Sequence, residues 1–149
     1  MKRCLILVFV FFNVFLFAQE AAFMDKLIFK KEATFGDLVT LFSYLVNENV
    51  TESYDLNVQD LKEKFKFFPK NISETKKLTV GDFSLIAIQY LKIESGLLYL
   101  ATRNSRYATR ELINRKVVPF NTSEYDYISG LDLISYLQKV VGYEESNKN

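Results

Sequence analysis

Thr79-Val80-Gly81-Asp82-Phe83 reads as the start of a helix, and three other stretches open the same way: Thr34-Phe35-Gly36-Asp37-Leu38, Asn57-Val58-Gln59-Asp60-Leu61 and Ser129-Gly130-Leu131-Asp132-Leu133. In each, the leading side chain accepts from a backbone N–H left without a partner in the first helical turn. The acid three places later bonds back to the leading residue and favours the positive end of the helix dipole. Four such phrases in one chain predict an all-α fold.

Apolar spacing downstream of these starts agrees. Leu38, Leu41, Phe42 and Leu45 share one helical face, as do Val58, Leu61, Phe65 and Phe68, and likewise Leu133, Ile134, Leu137, Val140 and Val141. The helix after Thr79 carries Phe83, Leu85, Ile86, Ile88, Tyr90 and Leu91 around most of its circumference, which predicts a central helix covered by the others. A further helix is expected from a Ser105 cap to a stop at Pro119, after a short apolar turn or helix at Leu97-Leu98-Tyr99-Leu100-Ala101. Starts at 34, 57, 79, 105 and 129 recur roughly every 22 to 26 residues. That period predicts a compact bundle or a stack of helical hairpins, about five helices in all. Residues 23–32 suit a helix by Met24, Leu27 and Ile28, with a brief strand at Leu27-Ile28-Phe29 as the competing reading. Loops are expected at 47–55, 69–78 and 119–128.

Residues 1–22 read as an export signal: Met1-Lys2-Arg3, an apolar run from Cys4 to Ala18 broken by Asn13, then Gln19-Glu20-Ala21-Ala22. A membrane anchor needs about 20 apolar residues, more than this run supplies. Cleavage is expected after Ala18 or Ala22, delivering the chain to a periplasm or cell envelope. Retention of the run as a tether is the alternative, and membrane contact is expected only in that case. The rest reads as a single helical domain over 23–143 and a frayed tail over 144–149.

The only cysteine, Cys4, lies inside the signal, so the mature chain has no disulfide and must draw its stability from its core. A chain exported without cysteine pairs points to a bacterial envelope. Removal of Lys2 and Arg3 leaves 17 basic against 18 acidic residues, a balance that calls for no nucleic-acid partner. There is no histidine, which excludes His-based triads, Cys-His dyads and imidazole metal sites. No cofactor or metal is expected.

The phrase Leu78-Thr79-Val80-Gly81-Asp82-Phe83 resembles the Thr-Arg-Ala-Glu-Phe helix start of S-layer homology modules, and Thr34 to Leu45 and Ser129 to Val141 echo it. The resemblance covers about 15 residues per copy and implies a helical envelope module that binds cell-wall polymers. The basic residue of the family phrase is replaced by Phe35, Val80 and Gly130, so no ligand site carries over.

Arg103, Arg106 and Arg110 fall at i, i+3 and i+7, with Tyr107 between them and Arg115 and Lys116 following. On one helix these guanidiniums can grip phosphates, carboxylates or an anionic glycan; the competing reading is a solvated face paired to Glu111. Ser73-Glu74-Thr75-Lys76 matches the Ser-x-x-Lys of penicillin-binding enzymes, but the partner motifs Ser-Asp-Asn and Lys-Thr-Gly are absent. Glu124 and Asp126, beside Tyr125 and Tyr127, are candidate carboxylates for glycan hydrolysis, which needs two at roughly 5 to 9.5 Å. Asp37, Asp60, Asp82 and Asp132 are assigned to helix starts. Of the clustered aromatics Phe65, Phe67 and Phe68, at least one is expected to meet a partner, the membrane or the N-terminal segment, because three so close cannot share one helical face. The resulting expectation is an exported, non-enzymatic binding module for an envelope protein or cell-wall polyanion through Arg103, Arg106, Arg110 and Tyr107. A carboxylate-based envelope hydrolase and a membrane-tethered scaffold are the alternatives.

Overall fold

A computed structural model describes residues 21–46, 50–51, 53–65, 68, 72–93 and 104–148. The signal segment through residue 20, Phe67, the stretch 97–101 and Arg103 lie outside the described residues. The fold is all-α. Helical residues 21–28 (α1) are followed by α2 (Phe35–Val46), α3 (Tyr54–Lys64), α4 (Val80–Tyr90), α5 (Ser105–Asn114) and α6 (Gly130–Lys148).

Three of the four quoted phrases are helix starts as expected. Thr79 accepts from the Asp82 N–H at 3.2 Å while Asp82 Oδ2 accepts from the Thr79 N–H at 3.4 Å and hydroxyl at 3.0 Å. At α2, Asp37 Oδ2 accepts from the Thr34 N–H at 2.7 Å, and at α6 the Asp132 N–H donates to Ser129 Oγ at 3.1 Å. Asp37 and Asp82 are further gripped by a lysine a few residues before their own helix start. Lys30 Nζ lies 2.6 and 2.8 Å from the Asp37 oxygens, and Lys76 Nζ lies 3.1 and 2.9 Å from those of Asp82.

The Asn57 phrase is different. It lies inside α3, which starts at Tyr54 after Ser53, so Asp60 is a mid-helix residue and not a capping acid. Asn57 is buried and fastens the preceding strand instead: its Oδ1 accepts from the Thr51 N–H at 3.1 Å and its Nδ2 donates to the Thr51 carbonyl at 2.8 Å.

The three true starts, roughly 45 and 50 residues apart in the chain, meet in a closed ring. The Leu78 N–H donates to the Ala33 carbonyl at 2.9 Å, the Ile128 N–H to Leu78 at 3.1 Å, and the Ala33 N–H to Ile128 at 2.7 Å. Ala33, Leu78 and Ile128 each precede a capping residue and are almost wholly buried. Equivalent residues bonded head to tail in a cycle of three describe a pseudo-threefold hub. The repeating unit is therefore about twice the length that the spacing of helix starts predicts, and it closes on itself instead of stacking in a line.

Around the hub each start leans on the strand before the next. The Phe35 N–H donates to Lys76 at 2.8 Å and Gly36 to Glu74 at 2.9 Å; Val80 donates to Asp126 and Gly81 to Glu124, both at 2.9 Å. Antiparallel bridges Thr34–Lys77 and Thr79–Tyr127 result. The third seam joins the two ends of the domain, with the Gly130 N–H donating to Lys30 at 2.9 Å. There Lys31 and Glu32 together stand opposite Ser129, one residue more than in the other seams, as in a β-bulge. At the rim of the hub, the equivalent positions Glu32 and Lys77 pair at 2.6 Å, and Lys77 Nζ stands 5.4 Å from the centre of the Tyr127 ring.

Below the hub, Leu38, Phe83 and Leu133 occupy equivalent places and are fully buried. α4 is central: Phe83 lies between Phe42 of α2 at 6.2 Å and Tyr136 of α6 at 5.8 Å. Phe65 packs edge-on against Phe42 and Phe68 against Phe35, so both serve the core; the position expected to meet a partner is not among these two. Such ring pairs each add about 0.5 to 1.5 kcal/mol beyond their buried area.

Two local expectations are corrected. Asn104, not Ser105, caps α5, accepting from the Arg106 N–H at 3.0 Å. α5 ends well before Pro119: Lys116 takes a left-handed φ of 60°, and the Val117 N–H closes the helix on Leu112 at 2.9 Å. α6 runs through Lys148, and the Tyr90 phenol donates to Glu144 Oε2 at 2.6 Å.

Two predictions follow from these contacts. A Cβ on Gly130 would overlap the Leu27 carbonyl oxygen, whereas one on Gly142, within α6, meets nothing within 4 Å. Gly130→Ala therefore lowers unfolding stability by about 3 kcal/mol or more, and Gly142→Ala raises it by about 0.5 to 1 kcal/mol through helix propensity, as read from urea denaturation. Burial first, then the bond to Glu144 and its charge, push the Tyr90 phenol up from 10.0 to about 12. The folded state holds that proton more tightly than the unfolded chain, so the contribution is complete below pH 10.0 and is lost as pH rises towards about 12. Denaturation across that range shows the loss in the native protein and a shallower one in Tyr90→Phe.

Candidate functional site

α5 packs on α4 through the buried Thr109, whose hydroxyl donates to Ser84 Oγ at 3.2 Å. With Thr109 fixed inward, Arg106 and Arg110 emerge exposed on the adjoining face. The facing wall is the turn after α5. It is pulled in by the Gly81 N–H bond to the Glu124 carbonyl, and Gly81 is required because a Cβ there would stand 2.9 Å from that oxygen. Between the walls lies an open groove of about 500 Å³, lined by Arg106, Arg110, Asn114, Phe120, Thr122 and Glu124 among others.

The structure thus brings together two of the four residues singled out from the sequence. Tyr107 is half-buried against the core and does not line the groove, and Arg103 lies outside the described residues. Glu111 is engaged by Arg115, whose Nε and Nη2 reach Glu111 Oε1 at 2.9 and 2.7 Å and whose guanidinium also contacts the Tyr143 phenol. Arg115 is therefore committed to the fold. Among the described residues Arg106 and Arg110 make no ion pair. α5 has no acid in its first turn, so the positive end of its dipole adds to the Arg106 guanidinium there, with Arg110 one turn further on. Glu124 is the opposing charge on the groove wall.

Phe120, 91% exposed, Thr122 and Glu124 come from the turn that follows α5, outside the helical pattern, so the arginine spacing could not find them. A signal did exist. Ser123-Glu124 stands six residues before Ser129 as Ser73-Glu74 stands six before Thr79. Both serines turn the chain alike, with Lys76 N–H donating to Ser73 and Asp126 N–H to Ser123, each at 3.1 Å.

The equivalent space beside Glu74 is a hollow of about 490 Å³ lined by Phe23, Lys26, Tyr44, Tyr54 and Glu74, tyrosines replacing arginines. Burial, then the charges of Glu74 and Asp55, push the Tyr54 phenol up, so it stays a neutral donor, here to the Ile72 carbonyl at 2.8 Å.

The other candidates are placed as follows. Ser73 Oγ bonds Thr75 while Lys76 addresses Asp82, so the Ser-x-x-Lys stretch is a turn. Asp126 accepts from the Ser123 N–H at 2.7 Å and is not on the groove wall with Glu124. Among the described residues no three His, Cys, Asp or Glu side chains are placed to hold a metal, and no helix is long and apolar enough to cross a membrane. Compared with protein families, curated proteins and solved structures, the chain matches none of them.

Proposed function

We propose that the protein is an exported, non-enzymatic helical module that binds a polyanion of the cell envelope, or an acidic envelope protein, through the groove beside α5. The observation that carries this reading is the pair Arg106 and Arg110 on one wall of a concave surface, without ion-pair partners among the described residues, at a helix start free of acids. Guanidiniums so placed meet phosphate or carboxylate groups in a bidentate manner, and Asn114 and Thr122 supply neutral polar contacts beside them. Glu124 on the far wall favours a ligand that also carries a hydroxyl or amine. The resemblance to S-layer homology modules supports a helical envelope module and carries no ligand site with it.

For the hydrolase alternative, the groove supplies the single carboxylate of Glu124, and Asp37, Asp82 and Asp132 are engaged at helix starts. The tethered alternative draws support from Ile28 and Phe29, apolar and exposed close to the N-terminal run.

Two measurements test the proposal. The exported protein is expected to start at Gln19 or Phe23 by intact mass; a cytosolic product with its first residues intact contradicts export. Binding to purified cell wall or a soluble anionic glycan is expected to fall about a hundredfold in Arg106→Ala with Arg110→Ala, each charged contact contributing about 1.5 kcal/mol. Binding unchanged by the double substitution removes the groove from the account.

A further inference from the structure

Lys26 and Glu74 both line the hollow of about 490 Å³ between α1, α2 and the start of α3, and anion binding at the α5 groove uses neither. Each is put there by its surroundings. Phe23 and Lys26 share one face of α1 by helical spacing and line the hollow, whereas Asp25 falls on another face and does not. The stem of Glu74 lies on Gly36, where a Cβ would stand 2.5 Å from Glu74 Cγ. Its charge is felt at the Tyr54 phenol, which places the carboxylate towards α3. Neither Lys26 nor Glu74 makes an ion pair among the described residues. In the adjoining hollow, which shares Phe23, Thr40 and Glu74, Lys30 and Asp37 are already paired with each other. One uncommitted charge of each sign therefore lines this space.

The structure assigns this hollow to a short zwitterionic peptide, with its ammonium on Glu74, its carboxylate on Lys26 and an apolar C-terminal side chain against Phe23 and Tyr44. Hollows of this volume hold small molecules, and each end group of such a ligand meets a side chain of opposite charge. Lys26 and Glu74 do not reach each other, so a ligand whose charges are separated spans them better than a single amino acid. The aromatic contact follows from place. The Phe23 and Tyr44 rings form a corner, with centres 6.5 Å apart and planes at 48°, and Phe23 stands one turn from Lys26 on α1. Tyr54 is held as a fixed wall by its bond to the Ile72 carbonyl at 2.8 Å. Buried Asn57 spends its Oδ1 and one amide hydrogen on Thr51, which leaves its second amide hydrogen for a peptide carbonyl. The hollow shares no lining residue with the α5 groove, so this inference and the anion-binding one fail independently.

Amide chemical shifts of the isotope-labelled protein, titrated with the dipeptide alanyl-phenylalanine, test the assignment. Saturable shifts are expected at Phe23, Lys26, Tyr44 and Asn57, with millimolar affinity or tighter. Acetylating the peptide's amine or amidating its carboxyl group is expected to weaken binding about fivefold each, the weight of one partly exposed ion pair. Glu74→Gln is expected to weaken the free peptide by the same factor and to leave the acetylated one unchanged; Lys26→Gln is expected to do so for the free and the amidated peptide. Both side chains are exposed, so neither change threatens the fold. Absence of saturable shifts overturns the proposal, as does equal binding of free and blocked peptides. Shifts centred on Arg106 and Arg110 also overturn it, since the other groove would then be reading the peptide's carboxylate.

Discussion

Three backbone hydrogen bonds, from Leu78 to Ala33, from Ile128 to Leu78 and from Ala33 to Ile128, close the chain into a ring, and every other element hangs from them. Each links a residue immediately before a helix cap, so the ring sets where three helices begin and in which direction they leave. The groups are buried, and a buried N–H or carbonyl left without a partner costs about 1 to 3 kcal/mol. Opening one link therefore exposes the others to the same penalty. A domain without disulfides gains in this way a constraint on chain topology that cysteine pairs often provide elsewhere.

The helix starts at Thr34, Thr79 and Ser129 were legible because a capping box is local: a side chain meets a backbone three residues away, and sequence spacing is enough to see it. Asn57 shows the limit of that logic. The same residue types at the same spacing serve a tertiary contact with Thr51 when the helix begins one turn earlier. The ring was not legible, since it joins residues 45 or more apart through backbone atoms that carry no sequence signature. Its trace in the sequence is the repeated Ser-Glu turn at 73–74 and 123–124, six residues before a helix cap in each case. Arg106 and Arg110 were found by helical spacing alone, but spacing gives a face and not what lies opposite it; Phe120 and Glu124 complete the groove only because Gly81 admits the second turn.

Equivalent seams with unequal chemistry are the property that function can use. One seam presents tyrosines and Glu74, the next arginines and Glu124, and the third Ile28, Phe29 and Leu131. The scaffold tolerates this because the backbone bonds at each seam are made by atoms every residue possesses. The departure that goes with the apolar seam, an extra residue opposite Ser129 together with a glycine at 130 instead of 131, keeps the ring closed while changing what faces outward.

Amide hydrogen exchange at Ala33, Leu78 and Ile128 tests the closed ring most directly. If the ring is one cooperative unit, the three amides open with the same free energy, equal to that of global unfolding. Exchange at Ala33 through a smaller opening, with Leu78 and Ile128 still protected, would show that the N-terminal strand merely rests against two repeats, and would contradict the account.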